Sequence, residues 1–191
     1  VVIAQRVLDD QPSGPGTLMV DQVRVPLAPG TYFVAVEVRD PGTKKTQALL
    51  QRVQVEAFQA SEFSLSGVEV AARISDANRD LGLQFVKEEL TVLPLPSRIF
   101  SQQAEIYLYY EVYNLLRNRD GQSRYRVDYH IRGGKPKGAR RLLGGIARLI
   151  DISSEEEELR VSYEHEGFSA SEPMYIALDV DPVDREEIEV A

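Results

Sequence analysis

The sequence contains no cysteine and only two histidines, His130 and His165, among its 191 residues. Without cysteine, the chain forms no disulfide, no thiolate metal site and no cysteine nucleophile. It also has no run of about 18 apolar residues, the length that a membrane-spanning helix needs. The histidines come without the G-x-S-x-G motif of a serine nucleophile. These absences predict a non-catalytic chain that has no cofactor and no transmembrane segment.

Acidic side chains outnumber basic ones and give a formal net charge of −8 at pH 7. Residues 1–58 carry six of each sign, whereas residues 59–191 carry sixteen basic and twenty-four acidic side chains. An acidic surface repels the phosphate backbone, so we expect no nucleic-acid partner.

Alternating apolar residues predict antiparallel β-structure near the start of the chain. Tyr32, Val34, Val36 and Val38 fall on one face of a strand, and Thr46–Phe58 supplies a partner strand. Asp40-Pro41-Gly42 lies between them and has the composition of a turn. Residues 31–58 are therefore predicted to form a hairpin.

Strand signals continue to the end of the chain. The predicted strands are Phe63–Ile74 with a slip at Gly67, Glu89–Leu95, Ala104–Leu116, Tyr125–Ile131, Leu159–Tyr163 and Tyr175–Val180. A turn at residues 118–121 predicts that Tyr125–Ile131 pairs back on Ala104–Leu116. Leu142–Ile152 reads equally as helix or strand, because Gly144-Gly145 weakens a helix.

Two resemblances give these strands an architecture. Leu27-Ala28-Pro29-Gly30-Thr31-Tyr32, followed by a strand, resembles the tyrosine corner of an immunoglobulin-type or fibronectin-type sandwich. We predict two consecutive antiparallel β-sandwich domains, residues 1–58 and 59–191. The first is expected to be the C-terminal part of a sandwich, whose other strands precede Val1 or come from a partner chain.

Residues 59–191 resemble the C-terminal β region of bacterial GWxTD-domain proteins. The resemblance lies in Pro96-Ser97-Arg98-Ile99-Phe100, Tyr109–Leu115, Tyr125–Tyr129 and Leu65–Val70. The tetrad that names the family is absent. The resemblance implies a bacterial envelope protein with no catalytic site to transfer. It favours the periplasmic side, and the lack of cysteine leaves a cytosolic location open.

Three groups of residues are candidate sites. One is a set of tyrosines on one strand face that could contact a protein or a sugar, or pack against a neighbouring domain or loop: Tyr107, Tyr109 and Tyr113. Another is a basic segment that could bind an acidic protein or anionic lipid headgroups, or could instead be a mobile charged loop: Arg132, Lys135, Lys137, Arg140 and Arg141. The third is an acidic cluster that could hold Ca²⁺ or be a solvated loop: Asp179, Asp181 and Asp184.

The expected function is structural. We predict an accessory subunit that docks on and stabilises a larger bacterial envelope or membrane complex, of respiratory or photosynthetic type, with peripheral membrane contact. Exposed sheet edges invite strand addition from a partner. The alternative is a β-sandwich module that binds carbohydrate or Ca²⁺.

Overall fold

The computed structural model of the chain describes residues 20–59, 61–77, 82–97, 105–132, 139–143, 146–155, 158–179 and 189–190. Its side chains are described at residues 20–59, 61–77, 82–97, 105–130 and 160–178. These residues form antiparallel strands and one 3-10 helix, Leu83–Phe85. No helix within these ranges is long and apolar enough to cross a membrane. The prediction of an all-β protein with antiparallel sheets is confirmed.

The strands of the described ranges are β1 (Gly30–Arg39), β2 (Thr46–Val55), β3 (Ser64–Leu65), β4 (Glu69–Asp76), β5 (Val86–Lys87), β6 (Leu90–Pro94), β7 (Glu105–Tyr113), β8 (Ser123–Arg132), β9 (Ala139–Leu143), β10 (Ile146–Glu155), β11 (Glu158–Gly167), β12 (Glu172–Asp179) and β13 (Glu189–Val190).

The described residues group into two compact units. Unit 1 is residues 23–59 and contains β1 and β2. Unit 2 is residues 20–22 together with the described residues after residue 60, and it contains the other strands. A sandwich domain over residues 1–58 stays a prediction, because residues 23–59 supply only two strands to it.

The predicted hairpin of unit 1 is present. Strands β1 and β2 pair in ten consecutive antiparallel steps, from Gly30 opposite Val55 to Arg39 opposite Thr46, with no bulge. The turn forms because the Asp40 carboxylate accepts hydrogen bonds from the Gly42 amide at 2.9 Å and the Thr43 hydroxyl at 2.5 Å. The same two bonds, led by that from Thr43, lower the pKa of Asp40.

Unit 2 contains two sheets within the described residues. One has the strand order β10-β11-β8-β13. The other has the order β5-β6-β4-β7-β12-β9, with β3 also paired to β7. The slip predicted at Gly67 is visible here, because four steps from Leu65 to Glu69 face three steps of β7, from Val112 to Tyr109. The extra residue separates β3 from β4.

The predicted pairing of Tyr125–Ile131 with Ala104–Leu116 is wrong. Strand β8 pairs with β11 and β13 and therefore belongs to the opposite sheet from β7. The turn at residues 118–121 does form, with the Gly121 amide donating to the Asn118 carbonyl at 3.1 Å. The turn lies within a connection that takes the chain from one sheet to the other. The predicted turn is therefore present, but it does not join two paired strands.

Leu142–Ile152 is strand on both sides of residues 144–145. Its first residues belong to β9, which pairs with β12 in one sheet. Its last residues belong to β10, which pairs with β11 in the other sheet. The open choice between helix and strand is thus resolved toward strand for the described part of this segment.

The core of unit 2 lies between its two sheets. Alternate residues of β7 and β12 meet residues of β8 and β11 in two apolar clusters. The first contains Ile106, Leu108, Ile176, Leu178, Val161 and Tyr163, and the second contains Tyr110, Val112, Leu115 and Met174 against Tyr125, Val127 and Tyr129. The two sheets therefore pack face to face through one alternate set of β7 side chains.

One polar contact crosses this core. The hydroxyl groups of Tyr110 in β7 and Tyr129 in β8 lie 2.7 Å apart, and either can be the donor. Their rings meet edge to face at a centroid distance of 6.4 Å. The pair lets two large rings fill the core while each hydroxyl satisfies the other.

We predict that the two hydroxyl groups are energetically coupled. Tyr110→Phe or Tyr129→Phe alone should lower the free energy of unfolding by about 1–3 kcal/mol, because the remaining buried hydroxyl loses its partner. The double variant should cost clearly less than the sum of the single variants. Chemical denaturation of the four proteins measures the coupling.

The control pairs Tyr110→Phe with Tyr113→Phe, whose hydroxyl lies on the other face of β7 and donates to Glu111. Its two costs should add. Additive costs in the Tyr110 and Tyr129 cycle as well would contradict the prediction.

Candidate interaction surface

The base of the unit 1 hairpin is fixed by Tyr32. Its hydroxyl donates to the Ala28 carbonyl, four residues upstream, at 2.8 Å. Gly30 between them has φ 154°, a value that side-chain-bearing residues rarely adopt. A tyrosine corner contains a hydrogen bond of this kind, from a tyrosine hydroxyl to the backbone a few residues upstream. The hydrogen bond between Tyr32 and Ala28 ties the start of β1 to the segment that precedes it.

One face of the hairpin carries no charge. We call it the valine face, and its residues are Tyr32, Val34, Val36, Val38, Gln47, Leu49, Gln51, Val53 and Val55. Tyr32, Val53 and Val55 are half-buried, at the base. Toward the turn the exposure of the aliphatic side chains rises, from 37% at Val34 through 49% at Val36 to 64% at Val38.

The opposite face is also partly apolar. We call it the phenylalanine face, and its residues are Thr31, Phe33, Ala35, Glu37, Arg39, Thr46, Ala48, Leu50, Arg52 and Gln54. Phe33 is 72% exposed and Leu50 is 67% exposed. Arg39 and Glu37 form an exposed ion pair at 3.0 Å. Both faces of one two-stranded sheet therefore present large apolar side chains to solvent.

Sequence reasoning identified only the valine face. The signal for the second face was present, because Phe33 and Ala35 alternate with Val34 and Val36, and Leu50 lies opposite Ala35. A strand with apolar residues on both faces is typical of the interior of a larger assembly. Exposed on a two-stranded sheet, such a surface is a candidate for contact with a partner.

The three tyrosines predicted as an interaction face lie together on β7, but their face is largely covered. Tyr109 is 2% exposed and packs with Ala71, Val92 and Tyr175. Tyr107 and Tyr113 are half-buried. Carboxylates hold the phenols, since Tyr109 donates to Glu111 at 2.7 Å and Tyr113 donates to the other oxygen of the same carboxylate. An interaction role for these tyrosines stays a prediction.

A cation lies beside this tyrosine face. Lys87 is placed with its ammonium 4.4 Å from the ring centroid of Tyr109, and it also forms an ion pair with Glu69. Both contacts are partly shielded from water, which strengthens them relative to a surface pair. They tie the β5 end of the sheet to β4 and β7.

The other predicted site residues are spread over the fold. Arg132 ends β8 in one sheet, whereas Arg140 and Arg141 lie in β9 of the other sheet. Asp179 ends β12 opposite Glu105. Lys135, Lys137, Asp181 and Asp184 lie outside the described residues. Within the described ranges, no group of three or more His, Asp or Glu residues could hold a metal ion.

Sequence reasoning missed a buried polar cluster in unit 2. Glu172 accepts hydrogen bonds from the Tyr125 hydroxyl at 2.7 Å and the Ser123 hydroxyl at 3.3 Å. Gly167 makes room for this carboxylate, because a Cβ there would lie 1.7 Å from its Oε1 atom. The His165 ring stacks on Tyr125 at 5.2 Å. These contacts join β8, β11 and β12.

Serine, histidine and glutamate occur together in hydrolase sites, but the burial of this cluster favours a structural role. Ser123 and His165 are both 0% exposed, so a substrate does not reach the hydroxyl. A nucleophile must meet its substrate. Glu172 satisfies the hydroxyl groups of Ser123 and Tyr125 inside the fold, and the expectation of a non-catalytic chain stays a prediction.

No protein-family profile, curated protein or solved structure matches this chain. The candidate site therefore rests on the geometry of the described residues.

We predict that Tyr32→Phe loosens the base of the hairpin without unfolding unit 2. The lost hydrogen bond is worth about 1 kcal/mol, which corresponds to a roughly fivefold faster opening. Amide hydrogen exchange of β1 and β2 should accelerate by about that factor, with exchange of β7 unchanged. Equal exchange in both proteins would show that the Tyr32 hydroxyl does not hold the hairpin.

We predict that unit 2 loses stability at alkaline pH. Burial raises the pKa of Tyr110 to about 12, and burial together with Glu111 raises that of Tyr113 to about 12. Burial raises the pKa of Tyr129 further. Unfolded tyrosines ionise near pH 10, so the unfolded state releases protons first and the folded state loses stability as the pH rises from about 10 to 12.

Denaturant midpoints and tyrosinate absorbance measured from about pH 8 to 12 test this. The buried phenols should ionise together with unfolding, and below about pH 10 they should add no pH dependence. Tyrosines that all titrate near pH 10 while the fold persists would contradict the prediction.

Proposed function

We propose that this chain is a non-catalytic structural protein, an accessory subunit that docks on and stabilises a larger bacterial envelope or membrane complex. The observation that carries the proposal is the hairpin of unit 1, which exposes apolar side chains on both faces. Monomeric proteins rarely leave such surfaces uncovered. A two-stranded sheet is also marginally stable alone, so a partner that covers it would stabilise both proteins.

We further propose that the two units are immunoglobulin-like or fibronectin-like, the first completed by strands from elsewhere. The Tyr32–Ala28 hydrogen bond and the ten-step hairpin support this for unit 1. The face-to-face packing of the two sheets supports a sandwich for unit 2. The resemblance of residues 59–191 to GWxTD-domain proteins supports the bacterial envelope, with its periplasmic side favoured and a respiratory or photosynthetic complex as the host.

Affinity capture from mildly solubilised native membranes, followed by mass spectrometry, tests the docking function. We predict that the full chain co-purifies with one complex in stoichiometric amount. A variant with Val36→Thr, Val38→Thr and Leu49→Thr should lose at least about 100-fold in affinity, since each change removes roughly 1 kcal/mol of apolar burial. Threonine suits a strand, so the hairpin should persist.

The matched control carries Leu65→Thr, Val68→Thr and Leu116→Thr, which alter three exposed aliphatic side chains of unit 2. It should capture the same complex as the unchanged chain. Recovery of the chain alone, or equal capture by the valine-face variant, would remove the proposed function.

A further inference from the structure

We infer that the partner of the hairpin adds a β-strand with acidic side chains along the outer edge of β2. This inference rests on the proposed docking function and specifies its chemistry. Three observations carry it: the regularity of the β2 edge, the sign of its charge and the area that the hairpin offers.

The β2 edge is suited to strand addition. Its ten residues are paired to β1 on one side, and no other described strand pairs with it. Sheet edges are usually protected by proline, a bulge, a short strand or charged side chains. Strand β2 contains no proline and no bulge, and Thr46 to Arg52 are all exposed. It offers a straight ladder of roughly 34 Å for another strand.

The charge of this edge selects the partner. The only charged residue within β2 is Arg52, and Lys44 and Lys45 immediately precede the strand. Of the acids near β2, Glu37 pairs with Arg39 on β1, Asp40 holds the turn, and Glu56 directly follows the strand. Lys44, Lys45 and Arg52 therefore outnumber Glu56 at this edge. Residues 23–59 carry five basic and three acidic side chains. A strand with carboxylates beside Lys45 and Arg52 complements this charge.

The available area favours a different protein over a second copy of this chain. One face of a two-stranded, ten-residue sheet measures roughly 340 Å², so two copies stacked by one face would bury roughly 700 Å² in total. A stable specific complex buries at least about 1,200 Å². Pairing β2 edge to edge with β2 of a second copy would only extend the sheet and leave both apolar faces uncovered. A partner that adds a strand and covers both faces reaches roughly 1,400 Å².

Three synthetic ten-residue peptides test the inference on the full chain. The first alternates valine with glutamate and threonine, the second replaces each glutamate with lysine, and the third is the first with alternate backbone amides methylated. Binding is followed by fluorescence anisotropy and by amide exchange of β1 and β2. We expect the acidic peptide to bind at least tenfold more tightly than the basic one and to slow exchange in β2. The methylated peptide should give no protection, since it cannot extend the ladder.

Two charge-matched variants locate the effect. Lys45→Glu with Arg52→Glu should abolish the tenfold preference for the acidic peptide. Arg117→Glu with Arg119→Glu, which changes exposed cations of unit 2 by the same total charge, should leave it intact. The preference should weaken at high salt.

Equal binding of the acidic and basic peptides, or binding without protection of β2, would overturn the inference. So would self-association of the chain that protects β2, since the occupant would then be a second copy. If membrane capture fails but the acidic peptide still adds selectively, the proposed docking on a membrane complex is wrong and the inferred acidic strand partner of β2 stands. If capture depends on the valine face but not on Lys45 and Arg52, the docking function stands and the inferred acidic strand partner is wrong.

Discussion

Strand β7 is paired on both edges and covered on both faces, and unit 2 is arranged around it. One alternate set of its side chains, Ile106 to Val112, meets the opposite sheet. The other set includes Tyr109, which packs against Ala71 and Val92. A strand in this position needs apolar or hydrogen-bonded side chains at every step. Tyrosine meets that need, because its ring fills space while its hydroxyl finds a carboxylate or a second phenol.

The hairpin of unit 1 also has apolar side chains on both faces, but most of these side chains are exposed. Its strands have the apolar alternation of a covered sheet, yet Phe33 and Val38 are largely exposed. Hydrogen bonds at the base and in the turn hold its shape, and no core cluster of the described residues includes a hairpin residue. A surface that is ordered before it binds loses less entropy on association than a disordered one. Under the proposed docking function, local hydrogen bonds would hold the apolar faces in place before contact, and the charge of β2 would favour an acidic partner strand.

Sequence periodicity predicted what depends on neighbouring residues. The alternation of Ile106, Leu108 and Tyr110 identified β7, Asp40-Pro41-Gly42 identified a turn, and Gly67 marked the extra residue between β3 and β4. Periodicity shows which side chains share a face but not which strand lies beside them, so β8 was assigned to the wrong sheet. For the same reason periodicity left open whether Tyr109 contacts a partner or packs within the fold. The Glu172 cluster and the second apolar face of the hairpin depend on register and packing, which single-strand patterns do not contain.

The distribution of aromatic residues separates the two units spectroscopically. The chain has nine tyrosines and no tryptophan, and only Tyr32 lies in unit 1. The near-ultraviolet circular dichroism of the folded protein therefore arises mostly from the ordered phenols of unit 2, whose environments are the most asymmetric. Far-ultraviolet dichroism, by contrast, reports the backbone of both units. A difference between the two signals during unfolding measures how independently the hairpin and the sandwiched sheets lose their structure.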